Sequence, residues 1–75
     1  MNIQVFGRLT EVFGAESITV EPVGDTDTLL KMLNKDYPAI ADTGFIIAVN
    51  KKQVRENIQL LPEATIVLMP PFSGG

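Results

Sequence analysis

Residues 65–75 read Thr-Ile-Val-Leu-Met-Pro-Pro-Phe-Ser-Gly-Gly. The first five make an apolar, largely β-branched run of strand length. Pro70 and Pro71 then end any ladder, because neither has an N–H to donate and both hold a stiff, extended path. Gly74 and Gly75 add no bulk and no core contact. Six residues at full extension reach about 20 Å, enough to thread a narrow channel in another protein. The chain therefore divides into a folded domain, residues 1–69, and an extended tail, residues 70–75. A Ser-Gly-Gly end alone also fits a frayed terminus or a tag remnant. Pro-Pro-Phe-Ser-Gly-Gly placed directly after an apolar strand favours a working tail over either.

A strand this apolar needs neighbours on both sides, and the rest of the sequence supplies them. In residues 2–8, Ile3 and Val5 alternate with Asn2, Gln4 and Phe6, which predicts a strand with Phe6 as an apolar intruder on its polar face. Residues 9–14 read as a short connection with a turn at Gly14. Residues 16–21 alternate again, with Ile18 and Val20 inward, and form a hairpin with the first strand. Asp25 or Thr26 is a suitable N-cap, and Asp27 complements the helix dipole. Leu29, Leu30 and Leu33 then share one helix face, Lys31 and Lys35 the solvated one, and Tyr37-Pro38 stops the helix. A short connection, residues 39–44, leads to the continuous apolar run 45–49, expected to be a strand buried on both faces. Asn50-Lys51 supplies a tight turn, Gln53-Val54 a short return strand, Ile58, Leu60 and Leu61 a packed irregular segment, and Pro62-Glu63 a further turn. The order β-β-α-β-β-β predicts an α+β domain: a mixed sheet of four to five strands packed on one main helix in the β-grasp manner. Its first and last strands would be central neighbours, and its core would form from Ile3, Val5, Ile18, Val20, Leu29, Leu30 and Leu33.

Composition narrows the function classes. Seventy-five residues make one domain, too small to hollow out a large catalytic cleft; a binding module or a subunit of something larger is expected. The 45% hydrophobic and 20% charged residues fit a folded chain. There is no cysteine and no histidine, which removes thiolate chemistry, the commonest general base and the commonest zinc ligand. A net charge of −3 disfavours nucleic acid and suits a basic protein surface. With no apolar run near about 18 residues and no basic-then-apolar leader, no membrane association is expected, and a cytoplasmic location is.

The ending, an apolar strand followed by Pro-Pro-x-x-Gly-Gly, together with Phe6 to Gly14, Leu29-Leu30 through Tyr37-Pro38 and Ala48-Val49-Asn50, resembles the small subunit of molybdopterin synthase, in the ubiquitin-like sulfur-carrier superfamily. The likeness covers essentially the full length; it departs at Pro62-Glu63, where the family commonly has glycine. The resemblance implies a ubiquitin-like fold and a group carrier that is not an enzyme on its own. An E1-like activating enzyme using ATP-Mg would adenylate Gly75, and a sulfurtransferase would supply sulfur to make a thiocarboxylate. The sulfur would pass to cyclic pyranopterin monophosphate in molybdenum cofactor biosynthesis. The large synthase subunit would supply the active-site residues in a heterotetramer. No permanently bound cofactor and no metal is expected.

Strand parity places Phe6, Ile46, Ala48, Val67 and Met69 on the sheet face away from the helix, with Phe72 at the tail root, a candidate partner surface. Lys51, Lys52 and Arg55 form a small basic cluster, read as solvated or as a contact for a phosphate. Glu16, Glu21, Asp25 and Asp27 lack metal-loop spacing and read as surface acids and a helix cap. Three other readings stay open: a thiamine-pathway sulfur carrier, a ubiquitin-like protein modifier, and a passive β-grasp interaction module. Pro70-Pro71 and Tyr37-Pro38 favour the molybdopterin reading over the thiamine one.

Overall fold

The apolar run at the end of the sequence takes the middle of a five-stranded sheet. The computed structural model describes residues 1–71. In chain order the elements are β1 (Asn2–Val5), α1 (Leu9–Phe13), β2 (Ser17–Thr19), α2 (Thr26–Asp36), a 3-10 helix (Pro38–Asp42), β3 (Ile46–Val49), β4 (Lys52–Val54) and β5 (Ile66–Met69). The sheet order is β2-β1-β5-β3-β4. β5 runs parallel to β1, with Gln4 opposite Val67, and antiparallel to β3, with Ala48 opposite Val67. The two outer pairs are antiparallel hairpins. The fold is thus the expected α+β mixed sheet with first and last strands adjacent.

Period-two alternation sends Ile3, Val5, Ile47, Val49, Ile66 and Leu68 to one face, where Leu29 and Leu33 of α2 close a single core. Of the expected core residues, Ile18, Val20 and Leu30 are only partly buried and pack at its margin. Ile18 lies on the edge strand β2. Leu30 sits one position off the buried stripe of Thr26, Leu29 and Leu33, about 100° around the helix.

Two connections carry more structure than their sequence suggests. Residues 9–14 are not a plain loop: Leu9 and Phe13, four apart, put both side chains of a five-residue helix into the core. Gly14, at φ +72°, closes that helix by donating its N–H to the Thr10 carbonyl. The Phe13 ring meets Tyr37, with centroids 4.6 Å apart, which ties α1 to the end of α2. Residues 39–44 likewise hold most of the 3-10 helix, which buries Ile40. The two-residue turn is as expected, with Asn50 and Lys51 both at positive φ. At Pro62-Glu63 the chain turns without glycine, the Ala64 N–H donating to the Leu61 carbonyl at 2.9 Å. Leu61 itself is 60% exposed and not packed as expected; Leu60 takes the inward position.

The start of α2 is fastened to a segment thirty residues away. Asp25 caps the helix by accepting the Thr28 N–H at 2.9 Å. Thr26, 2% exposed, donates its hydroxyl to Asn57 Oδ1 at 3.1 Å and accepts the Ile58 N–H at 3.0 Å. Asn57 Oδ1 also accepts the Asp27 N–H, and Asn57 Nδ2 donates to Asp25 Oδ2. Removing the Thr26 hydroxyl strands the Ile58 N–H beside a buried position. Thr26→Val should therefore lower unfolding stability by about 1–3 kcal/mol in urea titration; an unchanged midpoint would show that this network does not hold helix and loop together.

Candidate functional site

Sheet topology decides where the tail leaves the domain. Because β1 and β5 are parallel, their C-terminal ends lie side by side, and β3, running the other way, begins at the same end. Phe6 continues the β1–β5 ladder by donating its N–H to the Leu68 carbonyl at 3.0 Å. Met69 lies opposite Ile46. Phe6, Met69 and Ile46 thus cross the outer face in one row, immediately before Pro70. The next row along the strands reads Ser17, Gln4, Val67, Ala48 and Gln53.

Of the residues expected on this outer face, Phe6 is 51% exposed, and Ile46, Val67 and Met69 are half-buried. Ala48 is a correction: it lies on the outer face but is only 6% exposed. It is the shortest side chain in its row, between Val67 and Gln53, and those neighbours shield it. It can shape a contact surface but offers little area to one. Polar Gln4 and Gln53 flank the apolar residues, so the patch is narrow and lies toward the tail root. Pro70 is half-buried and Pro71 exposed, both just past β5. Phe72, Ser73, Gly74 and Gly75 lie outside the described residues.

The other candidate groups separate from this end. Lys51 is in the β3–β4 turn, and Lys52 and Arg55 line an open groove of about 740 Å³ shared with Val54, Ile58 and Leu61. Leu61 and Phe6 are the two exposed large apolar side chains among the described residues. Sequence patterning missed Leu61 because two adjacent leucines in an irregular segment give no period to tell inward from outward. Among the described residues no group of three acidic side chains is placed to hold a metal ion, and no helix is long and apolar enough to cross a membrane. Glu16 and Glu21 are on different segments from Asp25 and Asp27, and Asp25 is engaged in capping. Its carboxyl is held below the ordinary value of 3.8, chiefly by the hydrogen bonds from Thr28, then by Asn57 and the charge of Lys31.

A mixed β-grasp sheet whose central strand runs straight into the Pro70-Pro71 step defines a ubiquitin-like protein. Solved structures agree on the fold. The crystal structure of SAMP1 from Haloferax volcanii matches with a TM-score of 0.77 at 23% identity, over 99% of this chain and 97% of that one. The solution structure of small archaeal modifier protein 1 from Methanosarcina acetivorans matches with a TM-score of 0.80 at 20% identity, over 99% and 94%. The model of the ThiS family matches residues 3–75, and the chain belongs to that family of ubiquitin-like sulfur carriers. The molybdopterin synthase sulfur carrier subunit of Dictyostelium discoideum is 31% identical over 80 aligned positions, covering 97% of this chain and 93% of that protein.

The lowered Asp25 pKa has a definite sign for stability. The unfolded chain takes up the proton first as pH falls, so the capping contribution is present above the ordinary value and is lost on passing down through the folded one. Asp25→Asn keeps a capping oxygen but cannot titrate. Thermal unfolding followed from neutral pH into this acid range should show a smaller loss in Asp25→Asn than in the parent; equal losses would remove Asp25 from the account of acid sensitivity.

Proposed function

We propose that this chain is the sulfur-carrying small subunit of a molybdopterin synthase and works through the carboxyl group of Gly75. The observation that carries this reading over other sulfur-carrier roles is the match along 97% of the chain to the Dictyostelium molybdopterin synthase sulfur carrier subunit. The Pro70-Pro71 step and the Tyr37-Pro38 helix stop support it, as does an apolar outer face next to the tail root.

A terminal carboxyl has a pKa of about 3.3–3.7 and is ionised at neutral pH. As a carboxylate it is a poor acyl donor, since its leaving group would be oxide. In the proposed cycle a Gly75 oxygen attacks the α-phosphorus of ATP on an E1-like enzyme and pyrophosphate leaves. Sulfide delivered by a sulfurtransferase attacks the acyl carbon, and AMP departs with the original oxygen. The thiocarboxylate sulfur then attacks a side-chain carbon of cyclic pyranopterin monophosphate in the large subunit's active site, and the carbon–oxygen bond at that carbon breaks, its oxygen leaving as water or staying with the phosphate. Water cleaves the acyl–sulfur bond, leaves sulfur on the pterin and restores the carboxylate. The chain acts as a carried group, the part a cofactor often plays. ATP-Mg belongs to the activating enzyme, and the large subunit supplies the catalytic residues. Phe6, Met69 and Ile46 form the docking face for that subunit in a heterotetramer.

Incubating the protein with ATP-Mg, activating enzyme and a sulfur source should raise its intact mass by one oxygen-for-sulfur exchange. The chain lacking Gly75 should not gain that mass, while its melting temperature stays with the parent's. Higher-mass ladders on lysines of other proteins would support a modifier instead, and no change a passive module. Phe6→Asp and Met69→Asp should each weaken co-elution with the large subunit on gel filtration. Because Phe6 is half exposed, Phe6→Asp should change stability by no more than about 0.5 kcal/mol. Undiminished co-elution of both variants would take the outer face out of the interface.

A further inference from the structure

β5 leaves the sheet between two glycines, one on each flank. Gly7 follows β1 and Gly44 precedes β3, the two strands that sandwich β5. A Cβ on Gly7 would lie 2.6 Å from Pro70 Cγ and 3.0 Å from Pro70 Cδ. A Cβ on Gly44 would lie 3.3 Å from Pro71 Cγ. The first distance is inside any tolerable carbon–carbon contact, so something must shift. Gly7 is poorly placed to do so. Its carbonyl accepts both the Thr10 N–H at 3.1 Å and the Thr10 hydroxyl at 2.9 Å, and Phe6 before it is held in the ladder to Leu68. The proline ring is the free party: Pro70 and Pro71 have left the strand and have no N–H to anchor them.

We infer that Gly7 and Gly44 are positioning residues for the tail. They form a notch free of side chains in which the Pro70 and Pro71 rings rest, and the notch sets the course of the chain through Pro71. The stiffness of two consecutive prolines matters only if their base is seated; a bulkier wall would turn the whole lead. This rests on the proposed carrier role for its consequence, because Gly75 must enter the pocket of the activating enzyme as a carboxylate and that of the large subunit as a thiocarboxylate. Displacing a reacting group by about 1 Å can cost on the order of a hundredfold in rate.

Backbone strain can be separated from the notch within this same chain. Gly7 is at φ +61° and Gly14 at φ +72°, but nothing lies within 4 Å of where a Gly14 Cβ would sit. Gly14→Ala therefore carries the left-handed penalty without touching the tail. Gly44 is not at positive φ, so Gly44→Val crowds Pro71 without that penalty. The chain has no cysteine, and Ser73→Cys gives a single site for a nitroxide. With the label in place, paramagnetic broadening of backbone amides on the outer face should change in Gly7→Ala and Gly44→Val and stay as in the parent in Gly14→Ala. Sulfur transfer from the preformed thiocarboxylate to the pterin precursor on the large subunit should slow by roughly tenfold or more in the first two and persist in the third. Broadening identical to the parent's in both Gly7→Ala and Gly44→Val would overturn the inference. A parent protein that never acquires sulfur would defeat the carrier reading instead, and the label, which involves no sulfur, would then decide the exit geometry by itself.

Discussion

The parallel pairing of β1 with β5 is the constraint from which the rest of the molecule follows. Two parallel strands cannot be joined by a tight turn, so everything between residues 5 and 66 serves as the crossover. That crossover must cover one face of the sheet, which α2 does with Leu29 and Leu33, and it leaves the other face open. The pairing also brings the end of β1, the end of β5 and the start of β3 to one corner. A partly exposed apolar row, the proline root of the tail and the two flanking glycines therefore meet by topology and not by separate design. In a chain of 75 residues one strand pairing thus sets an apolar row beside the root of the tail.

The corner has to be held rigid by something other than the sheet alone, since β2 and β4 are three residues each. At the corner α1 meets that need, packing Leu9 and Phe13 under the β1 end and touching Tyr37. Away from the corner, the polar cluster of Asp25, Thr26 and Asn57 locks the start of α2 to the segment leading into β5. Neither lies on the outer face, where Phe6, Ile46 and Met69 are held by backbone ladder bonds and their side chains can change with little effect on the fold.

Much of this architecture was legible because it rests on local patterns. Alternation exposed β1, the Asp25 cap and the Tyr37-Pro38 stop bracketed α2, and Asn50-Lys51 marked the hairpin. What was missed depends on contacts distant in sequence. α1 has only the pair Leu9 and Phe13 to announce it, too few for a period, and Arg8 at its N-cap makes no side-chain capping bond. Ala48 followed its expected face, but its burial is set by Val67 and Gln53 on neighbouring strands. Asn57 looks like a loop residue until Thr26 is brought beside it. The seats of Pro70 and Pro71 could not be read at all, since Gly7 and Gly44 are neighbours of the tail only after β5 is inserted. The family, by contrast, was legible in the last six letters and in the resemblance they carry, and the ThiS family model matches residues 3–75.

The central claim concerns one atom at the end of the chain, and fragment mass spectrometry of the C-terminal peptide examines it directly. After incubation with activating enzyme, ATP-Mg and a sulfur source, the account predicts sulfur in place of oxygen on the fragment containing Gly75 and on no other fragment. Sulfur found elsewhere in the chain, or a Gly75 carboxyl left unaltered while the activating enzyme consumes ATP, would contradict it.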